Sequence, residues 1–447
     1  MNRFFSPLLF LALFWGTPVQ AANPDVVEVT SARGIKAWLV QDSKLPLINM
    51  RFSFRGGVET DPEDKQGLAV LTSGLLTQGA GAYDDGAFQE KLAAQSISMD
   101  IGATRDAIAG EVKTLSRHEG KAFRLLALAL TQPRFDDGVF ARARGQQETA
   151  VTMQLAKPSW QARYALYGQL FGDHPYVYRS LGTKASLERL TREDALAFVK
   201  KHLAQDNLLI AVVGDITLEA LRQRLDQTFG ALPAKADVPA IAPVAFSQKP
   251  ATILTRREGT QTTIAFAAPM MPRDDPDWYA AQVANYILGG GGFSARLMKA
   301  VRAKEGLTYG ISTGLAAMDK ASLLAGGFDV DNAKAAEALA LMQTVWQDFY
   351  ELGVSAGEVA EAKAYLKGSA PLSLTSTDAI AEALLAMQQE NLGIDYLDRY
   401  ASLVDAVTRD DVVRVIKRWF DPAQLRFSFV GAPEGVTPDT TQDPIKE

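Results

Sequence analysis

Cysteine is absent from the 447-residue chain, and histidine occurs only three times. The first absence excludes a disulfide framework, a zinc finger, an iron–sulfur cluster and a thiol nucleophile. The second leaves little for an imidazole metal site. His118, His174 and His202 stand 56 and 28 residues apart, and no two share the i, i+3 or i+4 spacing of a helical metal face. Their surroundings offer other uses. His174 lies in Gly172-Asp173-His174-Pro175-Tyr176, a loop that it is expected to order, and His118 precedes Glu119 on a solvated helix face. His202 falls near a helix C-terminus, where a charged imidazole suits the dipole. Charge of one sign is also missing. With 46 basic against 52 acidic side chains the net charge is −6, so no broad basic field exists to hold phosphates, and nucleic-acid binding is disfavoured.

Long apolar runs are scarce too. Pro7 to Trp15 (PLLFLALFW) is shorter than the roughly 20 residues that span a bilayer. It follows Arg3 and precedes Val19-Gln20-Ala21, which puts small residues where signal peptidase needs them. Residues 1–21 therefore read as a signal peptide cleaved near Ala21. That implies a periplasmic or secreted protein without a stable membrane anchor.

What is present is apolar bulk and repetition. An apolar content of 47% fills more than one core, and at roughly 100 to 200 residues per domain the length predicts two or three domains. Leu190 to Asp215 (LTREDALAFVKKHLAQDNLLIAVVGD) and Val407 to Ala432 (VTRDDVVRVIKRWFDPAQLRFSFVGA) align without a gap at an offset of 217. Thr191, Arg192, Asp194, Lys200, Leu208 and Gly214 match Thr408, Arg409, Asp411, Lys417, Leu425 and Gly431. Each copy reads as an N-capping Thr, an amphipathic helix, a polar turn and an apolar strand ending at Gly. A weaker pair, Met50 to Gly57 and Thr262 to Pro269, is followed in each case by a helix ending in Gly, at Gly79 and Gly289.

Between the copies, residues 233–250 carry Pro233, Pro239, Pro243 and Pro250, a linker composition. The expected organisation is one domain over 24–232, a second over 251–434, and a frayed polar tail over 435–447. Val26 to Val29 and Ile35 to Val40 flank Ala32-Arg33-Gly34 as a hairpin. Strands in runs with helices between them predict α+β: two tandem homologous domains, each a mainly antiparallel sheet with helices on one face. Gly289 to Gly292 follows a helix and lacks the Lys-Ser/Thr of a P-loop, so no nucleotide fingerprint is present.

A set of landmarks runs through nearly the whole mature chain. They are Arg55-Gly56-Gly57 with Glu59, Gly67-Leu68-Ala69, Gly172 to Tyr176, Val213-Gly214-Asp215, Leu288 to Gly291 with Ser294, Arg296 and Leu297, and Arg302 to Tyr309 (RAKEGLTY). In this order they resemble the inverted-zincin metallopeptidases that include pitrilysin, insulin-degrading enzyme and the mitochondrial processing peptidase, with their LuxS/MPP-like fold. Catalytic members carry H-x-x-E-H directly after the Gly-Leu-Ala landmark, two His for zinc and a Glu as general base. Here the register reads Val70-Leu71-Thr72-Ser73-Gly74. Val70 and Gly74 have no side-chain lone pair to offer a metal, and Ser73 is too weak a base for its water. Glu148, the residue at the place of the third ligand, cannot make a site alone.

The resemblance implies a different role for the second half. An Arg and a Tyr at the spacing of Arg302 and Tyr309 reach, in the family, across to the zinc site of a facing half and hold the substrate carbonyl and its oxyanion. A glycine-rich loop at the place of Gly289, Gly290, Gly291 and Gly292 contacts substrate in the processing peptidases. Arg296 is read as an anion contact or a solvated charge. The first expectation is the non-metal subunit of an exported zinc peptidase heterodimer, with zinc in the H-x-x-E-H partner and none in this chain. The second is a catalytically silent peptide-binding or assembly protein, and the third an autonomous metallopeptidase with a reassigned site. Self-pairing is a further arrangement, but two copies would still bring no zinc ligands.

Overall fold

The computed structural model describes residues 23–246 and 249–446, and residues 1–21, read from the sequence as a signal peptide, lie outside the described residues. In the first half, β1 (Val27–Thr30) and β2 (Lys36–Gln41) pair as an antiparallel hairpin. With β3 (Leu47–Arg55), β4 (Ser98–Ala103), β5 (Ala107–Leu115) and β6 (Leu208–Gly214) they form a sheet of order β1-β2-β6-β3-β5-β4. Its one parallel contact is β2 with β6. The second half repeats the plan with β7 (Thr252–Arg256), β8 (Gln261–Pro269), β9 (Ile311–Ala317), β10 (Ser322–Asp331), β11 (Arg426–Gly431) and β12 (Thr440–Gln442), in the order β12-β7-β11-β8-β10-β9.

Setting β12 in the place of β1 makes the two orders the same, and this corrects the expectation of a frayed tail. Thr440 to Gln442 lack an apolar alternation, but the unpaired edge of β7 takes them as a parallel strand. Backbone pairing decides here what side-chain pattern does not.

The helices that position the site are α1 (Leu68–Leu75), α2 (Asp137–Leu155), α3 (Pro158–Phe171) and α4 (Arg192–His202) in the first half. In the second they are α5 (Trp278–Asn285), α6 (Ala356–Ser369), α7 (Thr377–Gln389) and α8 (Arg409–Trp419). Thr191 and Thr408 close capping boxes with Asp194 and Asp411 on α4 and α8, which satisfies two orphan N–H groups at each start. The aligned glycines end β6 and β11 with φ of 135° and 155°. A Cβ on Gly214 would sit 2.1 Å from the Leu47 carbonyl oxygen, and one on Gly431 2.8 Å from Thr262 Cα. Close backbone crossing therefore keeps both positions glycine.

Each sheet carries its own half's helices on one face and, on the other, a helix from the opposite half. Along β6, Ile210 and Val212 belong to the first-half core, whereas Ala211 and Val213 pack on Ala381, Leu384, Leu385 and Met387 of α7. Reciprocally, Leu166, Leu170 and Phe171 of α3 pack on Ala267 of β8 and Leu323 of β10. Side-chain amides reinforce the exchange. Gln388 Nε2 donates to the Ile210 carbonyl at 3.0 Å, and Gln169 Nε2 donates to the Phe427 carbonyl at 3.1 Å. The halves are thus interlocked by burial on both sheet faces.

A polar joint completes the junction. The Tyr176 hydroxyl donates to Asp106 and accepts from Lys320 N at 2.9 Å, joining the β4–β5 turn to the β9–β10 turn. His174 orders the neighbouring loop: its Nδ1 accepts from Tyr176 N at 3.1 Å, and Nε2 lies 2.8 Å from the Ala242 carbonyl of the linker.

Candidate functional site

Helix α1 starts at Gly67, whose φ of 93° turns the chain into the helix. Asp61 caps it from outside, with Oδ2 accepting from Gly67 N at 2.8 Å and Oδ1 from Ala69 N at 2.9 Å. Burial pushes the Asp61 carboxyl up to about 7 despite these donors. On the helix, Val70 packs against the first-half core. Ser73 is buried, with its hydroxyl donating to the Val70 carbonyl at 3.1 Å. Gly74 faces open space, with nothing within 4 Å of a built Cβ. Across on α2, Glu148 lies 3.8 Å from Arg144. Carbon, a committed hydroxyl and a bare backbone do not fit zinc. Among the described residues no other cluster of three His, Asp or Glu is placed to hold a metal ion.

The histidine near this helix is not the charged C-terminal imidazole that its position predicts. His202 is buried and stacked on Phe198 at 3.7 Å, with Nδ1 2.9 Å from the Phe198 carbonyl and Nε2 2.9 Å from Thr60 Oγ1. Burial lowers it to about 4, so it is neutral at pH 7. The solvated reading of His118 also changes: its Nδ1 lies 2.6 Å from the Gln95 carbonyl. Beside His202's partner Thr60, Glu59 is 6% exposed and accepts from Gly57 N through both carboxyl oxygens, at 3.2 and 3.0 Å. Burial, with Asp106 and Asp319 adding repulsion, raises it to about 8.

In the second half, two turns with i→i+5 bonding flank the glycine loop. Gly291 N donates to the Tyr286 carbonyl at 2.9 Å, and Glu305 N to the Ala300 carbonyl at 3.3 Å. Such widened turns recur at functional sites. Packing accounts for part of the glycine run. A Cβ would sit 2.4 Å from Thr313 Oγ1 at Gly289, 2.5 Å from Asn285 Nδ2 at Gly290 and 2.7 Å from the Tyr286 carbonyl at Gly291. Gly292 has φ of 55° and an open side. Gly290 and Gly292 are exposed, Gly289 is buried and Gly291 half-buried.

Arg302 and Tyr309 come from either end of one helix-to-strand connection. The Arg302 guanidinium lies over the Phe293 ring, 4.6 Å from its centroid. Gly306 at φ 62° ends the helical turn, its N–H donating to the Arg302 carbonyl at 3.0 Å. Thr308 then pins the chain, its hydroxyl donating to the Asp329 carbonyl at 2.7 Å and accepting from Gly310 N at 3.2 Å. Between these anchors Tyr309 turns outward and is 86% exposed. Phe293, 67% exposed, is a residue that sequence reasoning assigns no role, and its one signal is its place directly after the four glycines.

Arg296 is neither an anion contact nor a solvated charge. Its Nε and Nη2 donate to Glu358 at 2.7 and 2.9 Å, and Nη2 also reaches the Gly353 carbonyl. The pairing holds Glu358 down to about 2, so this landmark arginine ties the segment after the glycine loop to the start of α6.

Comparison with known proteins places this arrangement. Residues 189–366 match the model of the peptidase M16 inactive domain. A protein named non-peptidase homolog YmxG from Helicobacter pylori is 25% identical over 375 residues, covering 83% of this chain and 85% of that one. The probable mitochondrial-processing peptidase subunit beta of Schizosaccharomyces pombe is 28% identical over 292 residues, covering 61% and 62%. Among solved structures, a peptidase M16 inactive domain from Pseudomonas fluorescens superposes with a TM-score of 0.85 at 28% identity, covering 93% of this chain and 100% of that one. Family model, fold and relatives agree: the chain is homologous to the inactive domain of the peptidase M16 proteins, and the positions where the resemblance puts the two zinc ligands and the general base hold Val70, Gly74 and Ser73.

Proposed function

We propose that this protein is the non-metal subunit of an exported zinc peptidase heterodimer, binding peptide and supplying Arg302 and Tyr309 to the zinc site of a partner that bears H-x-x-E-H. The supporting observation is that Tyr309 is exposed and that Arg302, half-buried, forms no ion pair among the described residues. Tyr309 has no hydrogen-bond partner among the described residues, and Arg302 has only the Phe293 ring, so neither is used to hold the fold. A guanidinium and a phenol kept free are donors for an oxyanion that develops on a peptide carbonyl. Zinc, carried by the partner, supplies the Lewis acid and the activated water. The exposed backbone of Gly290 and Gly292 and the unpaired edges of β4 and β9 offer hydrogen bonds to an extended peptide.

The name of the Helicobacter pylori relative favours a second reading, a catalytically silent peptide-binding or assembly protein. Mixing the purified chain with a family chain bearing H-x-x-E-H separates the two. Peptide turnover confined to the mixture is expected. No turnover in any mixture would select the silent reading.

A further inference from the structure

A concavity of about 180 Å³ opens between α3, the β4–β5 turn and the loop after Tyr176. Arg105, Arg163 and Arg179 line it together with the rings of Trp160, Tyr164 and Tyr167, and no carboxylate lines it. Among the described residues none of the three guanidiniums forms an ion pair. This is unusual in a chain of net charge −6, whose other partly buried arginines include the pairs Arg296–Glu358, Arg273–Glu390 and Arg224–Glu119.

The aromatic rings orient two of these cations. Arg179 lies 5.3 Å from the Tyr164 centroid and 5.9 Å from that of Trp160, and the two rings stack at 5.0 Å. Arg105 lies 5.2 Å from Tyr167 and from Tyr176, and donates to the Tyr176 carbonyl. Stacking uses the faces of the guanidiniums and leaves N–H edges for an acceptor. Trp160, Arg163, Tyr164 and Tyr167 share one face of α3 by their i, i+3, i+4, i+7 spacing. Asp106 lies beside Arg105 outside the pocket lining, but within the pocket three like charges meet no carboxylate and repel one another, a cost that an anion relieves.

The chain's own backbone shows that the rim accepts peptide. Nη1 and Nη2 of Arg179 both donate to the Lys446 carbonyl at 3.3 Å, and Ile445 N donates to Gln161 Oε1 at 3.3 Å. We propose that this pocket is a subsite for an acidic residue of a bound peptide, its carboxylate held by Arg163 and Arg179 with Arg105 behind them. The inference rests on peptide binding but on neither the zinc partner nor Arg302 and Tyr309, so it is tested on the full chain alone.

The experiment is fluorescence anisotropy with a labelled, end-blocked hexapeptide carrying one Glu, against the same peptide carrying Gln. The Glu peptide should bind at least about tenfold tighter, the scale of a charge-assisted hydrogen bond, and the preference should shrink with added salt. Arg163→Gln should abolish it and Arg163→Lys retain part of it. Arg163 is exposed, so an unchanged melting curve is expected for both variants. Equal affinity for the two peptides, or a preference that survives Arg163→Gln, overturns the proposal. So does Glu-peptide binding seen only after deletion of residues 443–447, which would assign the pocket to the chain's own tail. Displacement by inorganic phosphate at equal concentration would also overturn it, assigning the pocket to free anions.

Discussion

Replacing Arg302 by Ala and Tyr309 by Phe together is expected to lower peptide turnover by the proposed complex with a zinc-bearing partner about a thousandfold, with the complex still assembled. Removal of one preorganised oxyanion donor costs on the order of 10² to 10³ in rate, and donors that act on one charge are not additive, so the pair falls near the upper single value. The loss should lie in kcat rather than KM, because both donors matter most once the carbonyl oxygen has become negative. Folding should be little affected. Tyr309 is 86% exposed, and Arg302 touches one exposed ring. Phe293→Ala should give a smaller loss by freeing the guanidinium that it steadies, since a cation–π contact at an exposed site contributes about 0.5 to 1 kcal/mol. Turnover unchanged by the double substitution, in a complex shown by its sedimentation to be intact, would remove this pair from the mechanism.

The second large effect is on stability. Glu59 is raised from an ordinary 4.5 to about 8, so between these values the folded chain holds a proton that the unfolded chain has released. Stability contributed by this group is therefore full below pH 4.5 and is lost as pH rises to about 8, by up to roughly 1.4 kcal/mol per unit. Asp61, raised to about 7, acts in the same direction up to that pH. His202 opposes them lower down: with its folded value lowered to about 4, its contribution grows as pH rises from about 4 to 6.5 and is then constant. Glu59→Gln isolates the first term, since a neutral amide still accepts from Gly57 N. Chemical denaturation across pH 5 to 8.5 should show the variant gaining on the wild-type chain steadily up to about pH 8. A difference that does not change with pH would mean that Glu59 is ionised in the folded state.

The parts legible in the sequence were those written in local pattern. The gapless match around Thr191 and Thr408 carried the duplication, because a capping threonine, an amphipathic helix and a strand-ending glycine are each set within a few residues. The register of the family motif puts Val70 and Gly74 at its two ligand positions and Ser73 at its base position, a reading that needs only the Gly67-Leu68-Ala69 landmark beside it.

What escaped was set by distant partners. The exchange of α3 and α7 depends on the far faces of both sheets. The continuous run Leu208 to Val213 was its one signal, since a strand apolar on both sides is covered on both sides. The burial of His202 is not written in its position along a helix, nor the pairing of Arg296 in its neighbours, because Glu358 lies 62 residues away. Asp61 and Glu59 gave no sign of their protonation, which is set by desolvation in the assembled fold. The arginine pocket joins α3 to segments from Arg105 to Lys446, a convergence that no spacing shows.

The most direct measurement is the zinc content of the purified chain, taken with its peptide cleavage before and after mixing with an H-x-x-E-H family chain. The chain alone should hold no stoichiometric zinc and cleave nothing. The mixture should hold zinc in proportion to the partner and cleave peptide in a chelator-sensitive manner. Stoichiometric zinc in this chain alone, with cleavage lost on chelation and restored by added zinc, would contradict the account.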